Sequence, residues 1–453
     1  MEKTFPPGPP RRFFGMNHIR GMQRDILGFC IGLKRDYGDI VGYQAGPIWM
    51  FQFTHPDQIQ DVLVKQARKL HKPNRIKAVF GQWDGEGLLL SEGDFWARQR
   101  RLIQTAFHPH RVRHYAATMV EQTSNMLTRW AGQTEVNAVD EMPRLTLDIV
   151  GRTLFDTDLA RDAQGIAAAV DVLQEITMLE SSRLMPVPNW LPTSVNRRKR
   201  ESIRTLHSLI ERLIRERRAS GRDHGDLLSM LLLAKDVEED GRGMSDTQVR
   251  DEATTLLLAG HETTAVSLMW TLYYLATHLE VQEQIAAAID KKIGDRPPTI
   301  DDLTSLPLVE MAFKEALRLR GPVYFFGREA VEPLEIAGVR IPAGSHVNLV
   351  PYITHHDARW FESPEEFRPE RFLPEREEQL PRFAYFPFGG GPRVCIGKGM
   401  ATLEATLVLV SIFQRYRIEL GAGQGDPGME AQVSLHPKGP LRLKLVQRRK
   451  VYA

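Results

Sequence analysis

A single helical pattern of apolar residues extends from about Ser245 to His278. At about 1.5 Å per residue, a helix over this stretch spans roughly 50 Å, which is enough to cross a whole domain. The neighbouring sequence has to pack around such a helix, and residues 116 to 290 show mainly helical periodicity with few strand signals. The sequence therefore predicts a mainly α-helical fold.

The apolar body of this helix is interrupted at its middle by the sequence Ala259-Gly260-His261-Glu262-Thr263. Glycine, and hydroxyl side chains that bond back to the preceding turn, are common causes of a helix kink. We predict a kink here that opens a small polar notch in the helix. The alternative is an ordinary helix that tolerates one glycine.

Strand-like patterns are confined to a smaller part of the chain. The runs Ile40 to Tyr43 and Ile48 to Phe53 alternate in the manner of a β-hairpin. We expect a small β region made from about residues 37–54 and 322–350. The chain as a whole, residues 1–453, is predicted to be a single domain.

Near the C-terminal end, residues 386 to 397 read Phe-Pro-Phe-Gly-Gly-Gly-Pro-Arg-Val-Cys-Ile-Gly. Three consecutive glycines followed by a proline exclude a regular helix or a central strand, so these residues form a shaped loop. A helical pattern from Met400 to Phe413 follows, which places Cys395 at a helix start. The unpaired backbone N–H groups of a helix start, together with Arg393, lower the pKa of a cysteine. We predict a thiolate, and the alternative is a buried structural cysteine.

A deprotonated sulfur can bind a metal ion, and the small number of cysteines limits the kind of site. The chain has two cysteines, Cys30 and Cys395, and no histidine at metal-ligand spacing from Cys395. A single thiolate cannot form a tetrahedral zinc site by itself. It can be the axial ligand of a haem, whose porphyrin supplies four other bonds.

Composition narrows the class of partner and the compartment. A net charge of +2 is too small to imply binding to nucleic acid. Two cysteines offer no disulfide framework, which is typical of a reducing cytoplasm. The chain has no uninterrupted apolar run of eighteen residues and no signal-peptide pattern. We expect a soluble, cytoplasmic protein without a membrane anchor.

The pattern Phe388-x-x-Gly391-x-Arg393-x-Cys395-x-Gly397 resembles the cysteine-ligand loop of the cytochromes P-450, the haem-thiolate monooxygenases. Elements in the family's order extend over essentially the whole chain, so the resemblance implies the cytochrome P-450 fold. It also implies that Cys395 ligates the iron of haem b and pushes electron density toward O–O cleavage. Phe388 would pack against this ligand.

The middle of the long helix, Ala259-Gly260-x-Glu262-Thr263-Thr264, resembles the oxygen-binding segment of the same family. The resemblance implies that the small residues Ala259 and Gly260 admit O₂. It further implies that Thr263 hydrogen-bonds the distal oxygen and that Glu262 relays protons inward. Glu262 and Thr263 are thus the predicted catalytic residues.

Several cationic positions resemble those that bind the haem propionates in this family. Trp96 and Arg100 lie four residues apart on a predicted helix that opens at Gly93, so they share one face. Arg328 and Arg393 are the other candidates, because the planar fork of an arginine binds a carboxylate at two points. The alternatives are a solvated basic face for the helix and a surface arginine at position 328.

Glu315 and Arg318, on another predicted helix, resemble with Arg371 a buried ion triad of the family. Its role would be structural, because it would hold the cysteine loop in register. Removal of one member would leave a buried charge without a partner, at a cost of about 3–5 kcal/mol.

Four other segments are less specific. The resemblance makes Pro186 to Pro192 a substrate-channel lid, although a plain interhelical loop is equally compatible with the sequence. Tyr324 to Phe326 either line the distal pocket or pack the core. The segment from Ser434 to Pro440 is a candidate substrate contact, and Asn74 to Leu90 is predicted to be a glycine-containing loop.

The resemblance implies a soluble, bacterial-type monooxygenase. Such an enzyme takes two electrons, two protons and O₂, and inserts one oxygen atom into a small apolar substrate. The electrons would come from a separate ferredoxin or flavodoxin and its reductase. A peroxygenase that uses H₂O₂ commonly lacks the acid-alcohol pair, so Glu262 and Thr263 argue against this first alternative. A haem sensor or carrier without catalysis is the second.

Overall fold

Helices dominate the computed structural model, which describes residues 5–159, 161–182, 188–234 and 243–448. Residues 186 and 187 of the predicted lid lie outside these ranges. Within them, no helix combines the length and the apolar character that crossing a bilayer requires. The helices are α1 (Met16–Arg24), α2 (Ile26–Tyr37), α3 (Pro56–Gln60), α4 (Asn74–Asp84), α5 (Gly93–Gln104), α6 (Pro109–Trp130), α7 (Ala138–Leu154), α8 (Ala163–Ser182), α9 (Ser194–Ser220), α10 (Leu227–Leu233), α11 (Asp246–Thr277), α12 (Leu279–Lys292), α13 (Pro307–Arg320), α14 (Pro351–His355), α15 (Pro374–Glu377) and α16 (Lys398–Arg415).

The β region is small, as predicted, but it extends beyond the predicted residues 37–54 and 322–350. Its strands are β1 (Ile40–Ala45), β2 (Ile48–Phe53), β3 (Leu70–His71), β4 (Glu135–Asn137), β5 (Phe326–Ala330), β6 (Leu334–Ile336), β7 (Val339–Ile341), β8 (His346–Leu349), β9 (Tyr416–Leu420), β10 (Met429–Ala431), β11 (Leu435–Pro437) and β12 (Arg442–Gln447).

The predicted central helix is α11, and its sequence encodes its start. Ser245 and Gln248 form a capping box, in which each side chain accepts the backbone N–H of the other residue. Almost every residue from Asp251 to Ala276 is buried. The predicted kink is wrong, because the helix is continuous through Gly260. This glycine instead allows close packing on α7, since a Cβ there would lie 3.3 Å from Val150.

The larger sheet has the strand order β1-β2-β8-β5-β3. β1 and β2 pair antiparallel and form the predicted hairpin. β8 runs parallel to β2 and antiparallel to β5, so strands from the two predicted β-rich parts join in one sheet. β3 pairs with β5 at the edge and carries the residues that follow it toward that strand.

Helix α4 occupies most of the segment between Asn74 and Leu90, so the prediction of a loop there is wrong. Trp83 near the end of α4 is buried in the main core. Its indole Nε1 donates to Thr177 Oγ1 of α8 at 3.2 Å. Packing against a partner that is distant in sequence stabilises a helix whose local pattern is weak.

Candidate active site

The cysteine loop, residues 386–397, passes close to a neighbouring segment of backbone. Gly391 has a φ of +64°, and a Cβ at this position would lie 1.8 Å from the carbonyl oxygen of Leu63. No other residue fits there without a shift of the backbone. The Cys395 N–H donates to the Phe388 carbonyl at 3.0 Å, and α16 begins three residues after the cysteine. The loop therefore presents Cys395 just before a helix, as predicted.

The Cys395 thiol is accessible and yet surrounded by protein atoms, as expected for a group that borders an internal space. The predicted N–H groups of the helix start, those of Gly397 and Lys398, do lower the pKa, but the arginine that contributes is Arg100 and not the predicted Arg393. Burial outweighs them and raises the pKa of the thiol. The predicted net lowering is wrong, because a buried anion loses its hydration.

Two of the predicted arginines flank one aromatic ring beside this loop. The guanidinium of Arg393 lies 4.0 Å from the centroid of the Trp96 ring, and that of Arg100 lies 5.9 Å from it. Arg100 Nη1 also donates to the carbonyl of Val394, next to the cysteine, at 2.8 Å. The structure thus brings three predicted residues together at the loop.

Further positive charge lies close to this ring. Burial, and secondarily the charge of Arg393, lowers the pKa of Arg328 on β5 to about 10. Burial and the charges of Arg328 and Arg393 lower the pKa of Lys72 to about 7. Glu92 pairs with Arg393 and offsets part of this charge. Sequence analysis missed Lys72, which has no motif and is placed by the pairing of β3 with β5.

The cationic cluster, defined here as Lys72, Arg100, Arg328 and Arg393, fits a ligand that carries two carboxylates. The Nη1 atom of Arg393 is buried without a hydrogen-bond partner, and such a donor is costly to leave unpaired. An anion bound here would satisfy this donor and would reduce the repulsion between the cations. These donors therefore suit the two propionates of a haem whose iron is bound by Cys395.

One face of α11 is not buried at the middle of the helix. Thr263 Oγ1 donates to the Ala259 carbonyl at 2.7 Å, which leaves the hydroxyl oxygen available as an acceptor. The open positions follow the i, i+1, i+3, i+4 spacing of one helix face. Between Asp251 and Ala276, the residues that are not buried are Ala259, Gly260, Glu262 and Thr263.

Glu262 extends from this face into a polar network. Its Oε1 accepts a hydrogen bond from Ser434 Oγ at 2.5 Å and lies 3.3 Å from His436 Nε2. Its Oε2 accepts a hydrogen bond from the Gln174 amide of α8. The segment predicted as a substrate contact thus contributes two side chains that bind a carboxylate of the central helix. No sequence motif indicated Gln174 or this network.

The predicted ion triad is present and buried. Arg318 Nε donates to Glu315 Oε2 at 2.7 Å, and Arg371 Nε donates to Glu315 Oε1 at 3.1 Å. Arg318 Nη1 donates to the carbonyl of His355 at 2.7 Å. The Nε2 atom of His355 accepts the N–H of Phe386, the first residue of the cysteine loop, at 3.0 Å. The triad is therefore connected to the loop through a histidine that the sequence did not indicate.

Of the three predicted aromatic residues, Tyr324 lies in the core, whereas Phe325 and Phe326 are half-buried and pack against it. Tyr324 is 5% exposed, and its hydroxyl donates to the Gln432 carbonyl at 2.9 Å. The Phe326 ring lies 6.4 Å from that of Phe386.

Comparison with known proteins decides the family of the chain. The family model described as Cytochrome P450 matches residues 6–445. The chain belongs to the cytochrome P450 family. The predicted cytochrome P450 fold is confirmed by this match. Because members of the family depend on haem, the protein is a haem-dependent cytochrome P450 monooxygenase.

This cytochrome P450 is similar along most of its length to monooxygenases of Streptomyces. Cyclooctatin synthase of Streptomyces melanosporofaciens is 36% identical, over 94% of this chain and 92% of the relative. Cyclooctat-9-en-7-ol 5-monooxygenase of the same species is 33% identical, over 89% and 87%. Pentalenene oxygenase of Streptomyces avermitilis is 32% identical, over 96% and 95%.

Proposed function

We propose that this cytochrome P450 binds haem b through Cys395 and the cationic cluster. The observation that carries the proposal is the buried, incompletely paired positive charge beside a cysteine presented by a shaped loop. Trp96 contacts the guanidinium groups of Arg100 and Arg393 with its ring and positions them. Phe388 packs against the cysteine that its carbonyl already contacts. When bound, the haem supplies the chemistry that activates O₂.

The open face of α11 provides the groups that act next to the haem. Ala259 and Gly260 leave room for O₂ because their side chains are small. Thr263 offers a hydroxyl that is oriented by its bond to the Ala259 carbonyl. Glu262 carries protons toward this hydroxyl from the polar network on its other side.

The substrate we propose is a small, apolar, polycyclic terpenoid, which receives one oxygen atom. The names of two relatives specify cyclooctat-9-en-7-ol and pentalenene, and both relatives resemble this chain over most of its length. Electrons come from a separate ferredoxin or flavodoxin and its reductase. Lys398 directly follows the cysteine loop, and Arg101 follows Arg100, which contacts the loop. Both side chains are exposed and suit an acidic partner of this kind.

A spectral titration followed by turnover tests the proposed function. The purified haem protein is titrated with pentalenene, and with a linear fatty acid of similar carbon number as the matched comparison. We expect the terpenoid to shift the haem from low to high spin. We also expect product one oxygen atom heavier when ferredoxin, reductase and NAD(P)H are added. A spin shift and product with the fatty acid but not with the terpenoid would contradict the substrate class. Product with H₂O₂ but none with ferredoxin, reductase and NAD(P)H would contradict the electron source.

A further inference from the structure

We propose that His436 is the outer group through which protons reach Glu262, with Ser434 as the bridging hydroxyl. The proposal deepens the proposed function, since it rests on Glu262 as the proton carrier beside the haem. His436 and Ser434 do not touch the reacting atoms in this assignment. They are positioning and proton-transfer residues that act through Glu262.

The three side chains form a closed set of contacts. Ser434 Oγ lies 2.9 Å from His436 Nε2 and donates to Glu262 Oε1 at 2.5 Å. His436 Nε2 also lies 3.3 Å from the same carboxylate oxygen. The side chains of His436 and Glu262 are 20% and 16% exposed, so each retains access to water. A proton can therefore pass along bonds that are already formed.

The β10–β11 hairpin fixes this arrangement against the central helix. Ser434 and His436 are two residues apart on an extended segment, so they project from the same face. Between them, the carbonyl of Leu435 accepts the Trp270 indole N–H of α11 at 2.7 Å, and the Leu435 N–H donates to Pro322 at 3.0 Å. The segment is thus bonded to the same helix that carries Glu262.

The carboxylate itself is held so that one oxygen faces the hairpin. Gln174 of α8 donates to Oε2 of Glu262, which leaves Oε1 for Ser434 and His436. Two further acids face His436, namely Asp171 of α8 and Glu430, its partner on β10. Burial raises the pKa of Asp171, while the positive charge of His436 lowers it. The surroundings of His436 are therefore acidic, which suits a group that gains and loses a proton.

The transfer balances as a double proton shift. The imidazolium of His436 gives its Nε2 proton to Ser434 Oγ as the Ser434 hydroxyl proton moves to Oε1 of Glu262. One N–H bond breaks, one O–H bond forms on the carboxylate, and the serine is unchanged. Neutral His436 then regains a proton from water. No electron is transferred, and no other reactant is required.

Carboxyl NMR tests the contact without turnover. Glutamate labelled with ¹³C at the carboxyl is incorporated, and the reduced carbon monoxide complex is used because it is diamagnetic. The Glu262 signal is assigned by its loss in Glu262→Gln. We expect this signal to move as the pH is changed, and the movement to disappear in His436→Gln. Lys438→Gln, at an exposed position just after β11, should keep it.

Turnover of the terpenoid substrate tests the role in proton delivery. We expect His436→Gln to lower the yield of product per NAD(P)H by about tenfold. This effect is smaller than that of removing a group that transfers a proton directly to a reacting atom, because His436 acts through Glu262. The pH dependence of that yield should flatten in the same variant. Ser434→Ala, which removes one oxygen atom, should lower the yield in the same direction.

The proposal is overturned if the Glu262 signal of the unaltered protein does not respond to pH. It is also overturned if Lys438→Gln lowers the yield as much as His436→Gln. It is overturned as well if His436→Gln and Ser434→Ala both give as much product per NAD(P)H as the unaltered protein. The NMR measurement needs no substrate. A failure to oxygenate terpenoids would therefore count against the proposed function and leave the proton route to be decided by the spectra.

Discussion

Burial shifts the pKa values of two ionisable side chains, Lys72 and Glu404. The pKa of Lys72 is lowered to about 7, mainly by burial. Glu404 on α16 is 2% exposed, and burial raises its pKa from 4.5 to about 8. In both residues the neutral form is favoured, because the charged form loses its hydration. Lys72 belongs to the cationic cluster, where a bound propionate would restore its charge, whereas Oε1 of Glu404 has no hydrogen-bond partner.

Lys72→Met removes the charge and keeps a side chain of similar length. We expect haem to dissociate about tenfold faster, since a hydrogen bond to a charged group contributes about 1.5–3 kcal/mol. The rate is measured by transfer of haem to an acceptor globin. Lys69→Met is the matched control, because Lys69 pairs with Glu332 on the surface. Equal rates for both variants and the unaltered protein would show that Lys72 does not bind a propionate.

Glu404→Gln should stabilise the protein in a way that depends on pH. The unfolded chain ionises this carboxyl near pH 4.5, whereas the folded chain keeps it protonated up to about pH 8. The stability that comes from the protonated form is therefore complete below about pH 4.5 and is lost as the pH rises toward 8. Glutamine cannot ionise. We therefore expect Glu404→Gln to raise the free energy of unfolding by about 3 kcal/mol at pH 8 and by little at pH 5.

Thermal unfolding of the Glu404→Gln haem protein at the two pH values provides the measurement. Glu375→Gln, at an exposed position on α15, is the control and should change neither melting temperature. A melting temperature of Glu404→Gln that is equally raised at both pH values would indicate a packing effect. It would argue against an ionisable group strained by burial.

At this scale the sequence could identify residues that belong to motifs. The spacing within motifs predicted Cys395, Trp96 and Arg393 as site residues. The structure places Arg393 against the Trp96 ring, beside the cysteine loop. Lys72 and His355 could not be found, because their positions follow from strand pairing and from contacts between distant segments. The sign of the Cys395 pKa shift was also out of reach, since burial depth is a property of the folded chain.

The cysteine loop is an element that depends on the backbone more than on its side chains. It is tied to the ion triad through His355 and fits closely against the backbone at Leu63. The Phe386 N–H donates to His355 at the start of the loop, and the Cys395 N–H donates to the Phe388 carbonyl. These two hydrogen bonds hold the thiol in one position. Such a loop tolerates little change in its glycines.

Gly391→Ala should disrupt this element. The φ of +64° is unfavourable for alanine, and the new Cβ would overlap the Leu63 carbonyl oxygen. We expect a loss of at least about 2 kcal/mol and a lower fraction of protein that retains haem. Gly399→Ala, in the first turn of α16 and with no atom within 4 Å of the new Cβ, is the matched control. It should be neutral or stabilising by up to about 1 kcal/mol.

The ratio of haem to protein in the two purified glycine variants measures the effect. If Gly391→Ala kept as much haem and as high a melting temperature as Gly399→Ala, the loop would be more adaptable than its close contacts indicate.

Elements with strong local signals were predictable, and those held by distant contacts were not. The apolar periodicity of α11 was enough to predict its bounds to within one residue. Helix α4 was missed because its stability comes from packing on α8. The kink at Gly260 was wrongly predicted because the glycine serves close packing on α7, which the sequence does not show.

For the whole molecule, the candidate site is assembled from segments that are far apart in the chain. Lys72 follows β3, Trp96 lies on α5, Arg328 lies on β5, and the cysteine loop precedes α16. The central helix contributes Glu262 to the polar network of the β10–β11 hairpin. The family could be predicted from the order of motifs along the chain. The substrate could not, because side chains such as Tyr324 proved to pack the core.

The most direct test of the central claim is the difference spectrum of the reduced protein with and without carbon monoxide. We expect the red-shifted Soret band of a thiolate-ligated haem in the unaltered protein and in Cys30→Ala, where the buried second cysteine is replaced. Cys395→Ala should lose this band. If Cys395→Ala kept the red-shifted band, Cys395 would not be the haem ligand, and the proposed site would be wrong.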